Sequence, residues 1–303
     1  GKAQVNLGTN ELTLSELKGE TDLSQILLEK IPASFPVVQG AVLPVSLKGT
    51  AQINLERMTA GPKGMTELAG DIVLNDGLLQ FTQMALPLKD VRLRAKFTQV
   101  KITLDVLSAT LGKGSIKGAG SLDDYLTGQE FSMALDANNI SLEDLFSRDT
   151  LPVKARGVAS GQMQFKGRGF TSQALSSALS GTGILTLKNV VLKDINVFQG
   201  VMNKLSMIPG LAERSEAAVP ERYKQGLAEK DTPLSDMEFP FNIENGLLII
   251  KDAVLSAEMF SLKSSVKVDF DGSYAMEGSF SIPSDLSLGL ATKVLALQYL
   301  LNE

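Results

Sequence analysis

Alternation with a period of two, in short runs cut by turn residues, constrains this chain more than any other feature. In VRLRAKF, Val91, Leu93, Ala95 and Phe97 fall on one side and Arg92, Arg94 and Lys96 on the other. Successive side chains of a strand point to opposite faces, so the run reads as a strand with one wet face. Phe131, Met133 and Leu135 in FSMAL repeat the pattern, as do Val266, Val268 and Phe270 in SVKVDF. The three basic residues of VRLRAKF read as a solvated outer surface. Turn signals recur at Asp76-Gly77, Gly118–Gly120, Gly167–Gly169, Asn245-Gly246 and Asp271-Gly272. Asp-Gly and Asn-Gly supply the positive φ values of tight hairpins, so an antiparallel meander is expected. Two distant stretches nearly coincide, IVLNDGLLQF (Ile72–Phe81) and FNIENGLLII (Phe241–Ile250). Each is predicted to be a β-hairpin turning on its Asp-Gly or Asn-Gly pair.

Helical spacing is rarer. Leu14–Ile31 has apolar positions at helical intervals and is stopped by Pro32 and Pro36. SQALSSALSG predicts a short helix ended by Gly181, and Asp194–Gly210 a longer one with a wide apolar stripe. The charged stretch after it reads as a loop or a loosely held helix. The C-terminus, from Ser284 or Asp285 as N-cap to Leu301, predicts a strongly apolar helix. That helix packs on a sheet end, caps an apolar groove or touches a membrane. A seam near Asp149–Pro152 divides the 303 residues into 1–150, a helix plus a β-meander, and 151–303, a meander with a helical insertion at about 194–230. One continuous sheet built of similar units produces the same pattern.

Composition enters through what it excludes. The chain has no His and no Cys, which removes Ser-His-Asp and Cys-His catalysis, disulfides, and His- or thiolate-ligated metals. A net charge of −5, 4 Tyr, 13 Phe and no Trp argue against nucleic-acid capture. No apolar run approaches the roughly 18 residues of a membrane span. The chain begins at Gly1 rather than Met, so a processed piece is expected, with any anchor upstream.

Two stretches invite a catalytic reading. GKGSIKGAG (Gly112–Gly120) resembles a phosphate loop, but an alternating strand precedes it and Asp123-Asp124 follows instead of a helix. Its glycines are expected to mark a twisted strand or a close neighbour. The pairs Asp123/Asp124 and Glu143/Asp144 are carboxylates of the kind glycoside hydrolysis needs. Both sit where turn and cap residues belong, with Ser141 as N-cap of SLEDLF. No enzyme and no cofactor are expected.

The second half has a further order to it. A glycine-spaced strand (Gly157, Gly161, Gly167) leads to a short helix and LSGTGILTL (Leu179–Leu187). KNVVLKDI and a helix follow, then FNIENGLLII, an apolar strand and a glycine turn. From about Pro152 to Ile282 this order resembles the C-terminal region of the AsmA-like family of Gram-negative envelope proteins, of AsmA/TamB type. Residues 1–150 fit as further β-repeat of the same kind. The resemblance implies a periplasmic segment tethered to the inner membrane by a helix absent from this chain. It also implies a long curved antiparallel sheet folded over into an apolar groove, which carries phospholipid acyl chains or aids outer-membrane assembly. Ile72, Leu74, Leu79, Phe81, Phe239, Phe241, Ile243, Leu248, Ile250, Val266, Val268 and Phe270 would line that groove. Two alternatives stay open: a closed β-sandwich using the same residues as core, and a scaffold that engages envelope partners, such as outer-membrane β-barrel machinery, through an open sheet edge.

Overall fold

The computed structural model of the chain describes residues 1–25, 44–82, 84–145, 154–205, 220–269 and 273–285. These form one open antiparallel sheet. Its strands are β1 (Lys2–Asn6), β2 (Glu11–Asp22), β3 (Ser46–Gly61), β4 (Gly64–Gln80), β5 (Leu88–Thr98), β6 (Lys101–Leu111), β7 (Gly114–Asp123) and β8 (Glu130–Ser141). They continue with β9 (Ala155–Arg168), β10 (Ser180–Leu192), β11 (Thr232–Pro233), β12 (Met237–Glu244), β13 (Leu247–Ala257), β14 (Phe260–Val268) and β15 (Tyr274–Ser281). Each strand pairs with its sequence neighbours, except that β12 follows β10 and the short β11 pairs with β10 beside it. At ordinary strand spacing this path is about 60 Å wide. β8 and β9 pair along most of their lengths, so the sheet runs straight through the seam near residue 150. β1 and β15 end the path, with no strand on their outer edges among the described residues, and the sheet curves into a groove instead of closing as a sandwich.

The two rims differ. Tight turns such as those between β3 and β4, β5 and β6, and β12 and β13 line one rim. The helix α2 (Ser172–Ala178) joins β9 to β10 on the same rim, its first turn capped by Thr171 Oγ1 accepting from Ala174 N. The other rim carries most of the long connections, including the helix α1 (Leu142–Leu145) after β8. It also bears the pair α3 (Val197–Leu205) and α4 (Glu221–Ala228) between β10 and β11.

Several expectations are corrected. Most of the Leu14–Ile31 helix that is described is strand: β2 runs to Asp22 and a single 3-10 turn, Leu23–Gln25, follows it. Pairing with β3 along ten positions overrides the local spacing. Gly118–Gly120 is no turn but the middle of β7, and the SQALSSALSG helix stops at Ala178, leaving Gly181 in β10. The C-terminal apolar helix lies outside the described residues beyond Asp285.

The sharpest correction concerns the repeated stretch. Asn245 and Gly246 have φ values of 51° and 75° and make a hairpin turn, as read. Asp76 has a similar φ of 52°, yet β4 continues past it to Gln80. The register with β5 slips between Leu74 and Gly77, so Asp76-Gly77 is a β-bulge. The same device recurs near the same rim at Asp90 of β5, Asn139 of β8 and Asn189 of β10, with φ values of 50°, 54° and 53°. In each the Asp or Asn faces solvent and the next residue turns inward: Val91, Ile140 and Val190 are 1%, 2% and 4% exposed. Short polar side chains tolerate the left-handed region, which is why these positions are Asp or Asn.

Candidate functional site: an apolar trough

Register converts the alternation into continuous apolar rows. One row passes across the sheet through Ala51, Leu74, Leu93, Leu107, Gly118, Leu135, Met163, Gly183 and Phe241. Beside it run Ile53, Ile72, Ala95, Leu104, Gly120, Met133, Phe165, Gly181, Ile243, Leu248 and Val268. The second row goes from β3 to β14 without one charged or hydrogen-bonding side chain. Leu93, Leu107, Leu135, Met163 and Phe165 are half-buried, whereas their neighbours Gln162, Gln164 and Thr182 on the other face are exposed. Glycines give the large side chains room: a Cβ at Gly118 would sit 2.7 Å from Leu135 Cδ2, and one at Gly183 would collide with the ring of Phe241. Bulky residues thus lie flat over glycine on the neighbouring strand, keeping the floor smooth.

The predicted residues divide between two places. Leu74 and Leu79 join Leu23, Ala51, Val91 and Ala109 in a cluster at the β3–β6 end. Ile72 lies in the second row, and Phe81 sits half-buried in the connection after β4. Ile243, Leu248 and Val268 are direct cross-strand neighbours, as are Ile250 and Val266. Phe239 is buried in a second cluster that α3 and α4 roof over, with Phe198, Met202, Tyr223, Met237, Ala253 and Phe260 buried in it and Ile250 and Val266 against it. Phe270 lies outside the described residues. The middle of the trough, Leu104, Met163 and Phe165 above all, is missing from the expected set, although the alternation of GQMQF would have found its two residues.

The helical roof is fastened at both ends. At its base, Asn196 Oδ1 accepts from Gln199 N (2.8 Å) to cap α3, while its Nδ2 donates to the carbonyls of Gly226, Leu227 and Glu229 (2.8, 3.2 and 2.7 Å) at the end of α4. Thr232 Oγ1 accepts from Val197 N and donates to Ile195 O. Lys193 pairs with Asp231, and hydrogen bonds from Lys193 and the Asp194 amide hold the Asp231 carboxyl below its usual range. At the far end, Arg222 and Tyr223 of α4 both reach Asp285, with Tyr223 Oη 3.1 Å from Asp285 Oδ1. The Arg222 guanidinium also lies 4.7 Å above the Tyr223 ring. Burial pushes the Asp285 carboxyl up, but the Tyr223 hydroxyl and the Arg222 charge outweigh it and keep it low.

The carboxylates considered for catalysis are apart. Asp123 pairs with Lys101 (3.0 Å) at the tight-turn rim, and Glu143 with Arg156 (3.2 Å) at the other. No cluster of metal-ligating groups occurs among the described residues. Gly112 and Lys113 form a hairpin turn into β7, with no helix behind it to receive a phosphate. Two open depressions of about 820 and 830 Å³ lie over the middle of the sheet; both touch Ala119, Ala134, Gln164, Thr182 and Asn242, the first also Leu135, Met163 and Phe241, the second Met133, Phe165 and Ile243.

The AsmA family model matches residues 47–253, well over half of the chain. The chain belongs to the AsmA family. No curated protein and no solved structure matches it. The AsmA match starts at the head of β3 and ends at the buried Ala253 of β13. It therefore spans the open section of the trough and the helical roof, and places this chain in an envelope protein family with an open apolar sheet.

Proposed function

We propose that this AsmA-family chain is a non-catalytic lipid-transfer module that lays phospholipid acyl chains along its trough. The observation that carries the reading is the second apolar row, unbroken from β3 to β14 and free of polar side chains. An acyl chain gains about 0.8 kcal/mol per buried methylene, so about ten methylenes supply on the order of 8 kcal/mol before ordering costs. A surface that holds its cargo by burial alone needs no directed polar contact and lets the cargo slide. The setting is the periplasm, with a tether to the inner membrane supplied outside this chain and a contribution to outer-membrane biogenesis. Lipid mass spectrometry of protein purified without detergent tests this. Phospholipid near one or more molecules per chain is expected, lost when Leu248→Glu and Val268→Glu are combined; a lipid-free, well-folded wild type refutes it.

The second reading, a scaffold for envelope partners, draws on the outer edge of β15, which pairs with no strand among the described residues and where Tyr274 and Met276 are 75% and 54% exposed. An unpaired strand edge without proline or bulge is a template for strand addition. The double glutamate variant separates the two readings, because it removes cargo and leaves the β15 edge intact.

A further inference from the structure

The tight-turn rim carries apolar side chains that the fold leaves in solvent. Among the described residues the four most exposed large apolar or aromatic side chains are Leu7, Tyr274, Leu126 and Val5, and all four sit in or beside turns of this rim. Leu7 is 84% exposed at the β1–β2 turn and Leu126 68% at the β7–β8 turn; Val100, at the β5–β6 turn between them, is 57% exposed. Single exposed apolar residues are ordinary, but their concentration on one rim is not. Phe170 shows the alternative. At the connection from β9 to α2 it folds inward and stacks on Phe131, ring centroids 5.4 Å apart.

The tips are held in a fixed frame. Turn is bonded to turn along the rim: Gln99 Nε2 donates to Met65 O (2.7 Å), the Asp124 amide to Val100 O (2.7 Å), the Tyr125 hydroxyl to Thr98 O (3.1 Å) and the Gly169 amide to Gln129 O (3.0 Å). The Leu126 turn is closed from within by the Thr127 and Gln129 amides, which both donate to Asp124 O. The Leu7 turn is closed by the Gly8 and Thr9 amides, which donate to Asn6 Oδ1.

Two properties select the partner. The turns of this rim from β1–β2 to β12–β13 hold two charged residues of opposite sign, Lys63 and Asp124, and α2 holds none. A neutral rim suits a zwitterionic surface and not a strongly charged macromolecule. Leu7, Val100 and Leu126 stand four and then two strand spacings apart, about 30 Å in all measured along the sheet. The anchors of a protein interface cluster in one desolvated centre. Tips strung out singly form no such centre, whereas a fluid bilayer takes up each on its own.

We propose that the tight-turn rim docks on a lipid bilayer, with Leu7, Val100 and Leu126 inserted at the boundary of headgroups and acyl chains. The apolar face of the sheet ends differently at its two rims. Leu111 and Ile140, toward the other rim, are buried, while Phe97, Ile102, Leu122 and Phe131, the cross-strand row nearest the tight turns, are half-buried. A bilayer on the tight-turn rim therefore meets the less covered margin of the trough. The docking goes beyond the lipid-carrier reading and stands without it.

Flotation with dioleoylphosphatidylcholine vesicles tests the proposal. Wild type is expected to float with the vesicles, and the combined Leu7→Ser, Val100→Ser and Leu126→Ser variant to partition at least tenfold less, with its melting temperature unchanged. Val45→Ser with Leu86→Ser, which removes apolar side chains exposed at the other rim, should float like wild type. Because the chain has no cysteine, an environment-sensitive fluorophore on a Leu126→Cys variant should shift to the blue when vesicles are added, and one on a Val45→Cys variant should not. No flotation, equal flotation of wild type and the triple serine variant, or an equal shift at both rims overturns the proposal. Self-association of wild type without vesicles, abolished in the triple variant, assigns the tips to a second copy and overturns it too. The expected flotation by a chain that holds no phospholipid after purification upholds the rim and overturns only the carrier reading.

Discussion

Met163 and Gln164 are adjacent in β9 and face opposite ways, which permits a test by two glutamates one residue apart. Met163 stands in the first apolar row between Leu135 and Gly183 and is half-buried; Gln164 is exposed on the polar face. Full burial of a methionine side chain is worth about 1.5–3 kcal/mol, so losing half of it in Met163→Glu costs about 1 kcal/mol. Part of the carboxylate hydration is retained because the trough is open, so folding survives. The effect on cargo is larger. A hydrated carboxylate on the floor denies contact to about three methylenes, about 2.4 kcal/mol, or about 50-fold in affinity. Gln164→Glu changes neither quantity by more than a few tenths of a kcal/mol.

Thermal melting gives the first quantity, and displacement of an environment-sensitive fluorescent fatty acid gives the second. The expected pattern is a melting temperature lowered by a few degrees and cargo lost in Met163→Glu, with Gln164→Glu like wild type. Equal loss in both variants would refute the assignment of faces. Intact cargo binding in a folded Met163→Glu would show that lipid does not run over the centre of the sheet.

Asn196→Ala removes a cap from α3 and three bonds from the end of α4; it is expected to cost about 1–2 kcal/mol and to speed hydrogen exchange in both helices first. Gly246→Ala puts a Cβ 2.5 Å from Ser176 Cα at a φ of 75° and should cost at least about 1 kcal/mol in denaturant melts. Asp76→Gly, also at positive φ, should be neutral or stabilising by a few tenths. Asp231 has its pKa lowered by Lys193, so its contribution is fully present above the unfolded carboxyl value near pH 4 and is lost as pH falls through the lower folded value. Asp231→Asn should therefore melt lower than wild type near pH 6, with the gap closing in acid.

The strands were the legible part of the sequence, since period-two alternation records which side of each residue is dry, and the rows through Leu93, Met133 and Val268 follow from it. Helix α2 was legible as a short helix in SQALSSALSG, although it ends at Ala178 before Gly181. β2 was not, because LTLSELKGETD satisfies helical and extended spacing alike, and only the ladder to β3 decides between them. The site was half legible. Ile243, Leu248 and Val268 could be placed on one face from their own strands, but register, a relation between strands, puts them in one line. Nothing local to Phe239 distinguishes a floor under helices from a floor under solvent. That distinction rests on bonds from Asn196, Thr232 and Asp285 to partners between 30 and 63 residues away in the chain.

The near-identical stretches around Asp76-Gly77 and Asn245-Gly246 show how one local conformation serves two ends. Both place an Asp or Asn near φ 50° before a glycine. At Asn245 the chain has reached the rim, and the turn reverses it. At Asp76 the β3 and β5 ladders continue on both sides, so the same dihedral cannot reverse the chain and instead inserts a residue. An inserted residue bends the strand and increases its twist. Bulges at Asp76, Asp90, Asn139 and Asn189 lie near one rim and turn small or branched apolar residues inward, so the bends they introduce fall along the same rim. A sheet of this width exposes a flat greasy surface unless it is curved, and a flat one aggregates through its face and edges. On the proposed lipid-carrier reading, curvature matters as much as the apolar rows do: it would keep a long apolar floor accessible to an acyl chain while withholding it from another sheet.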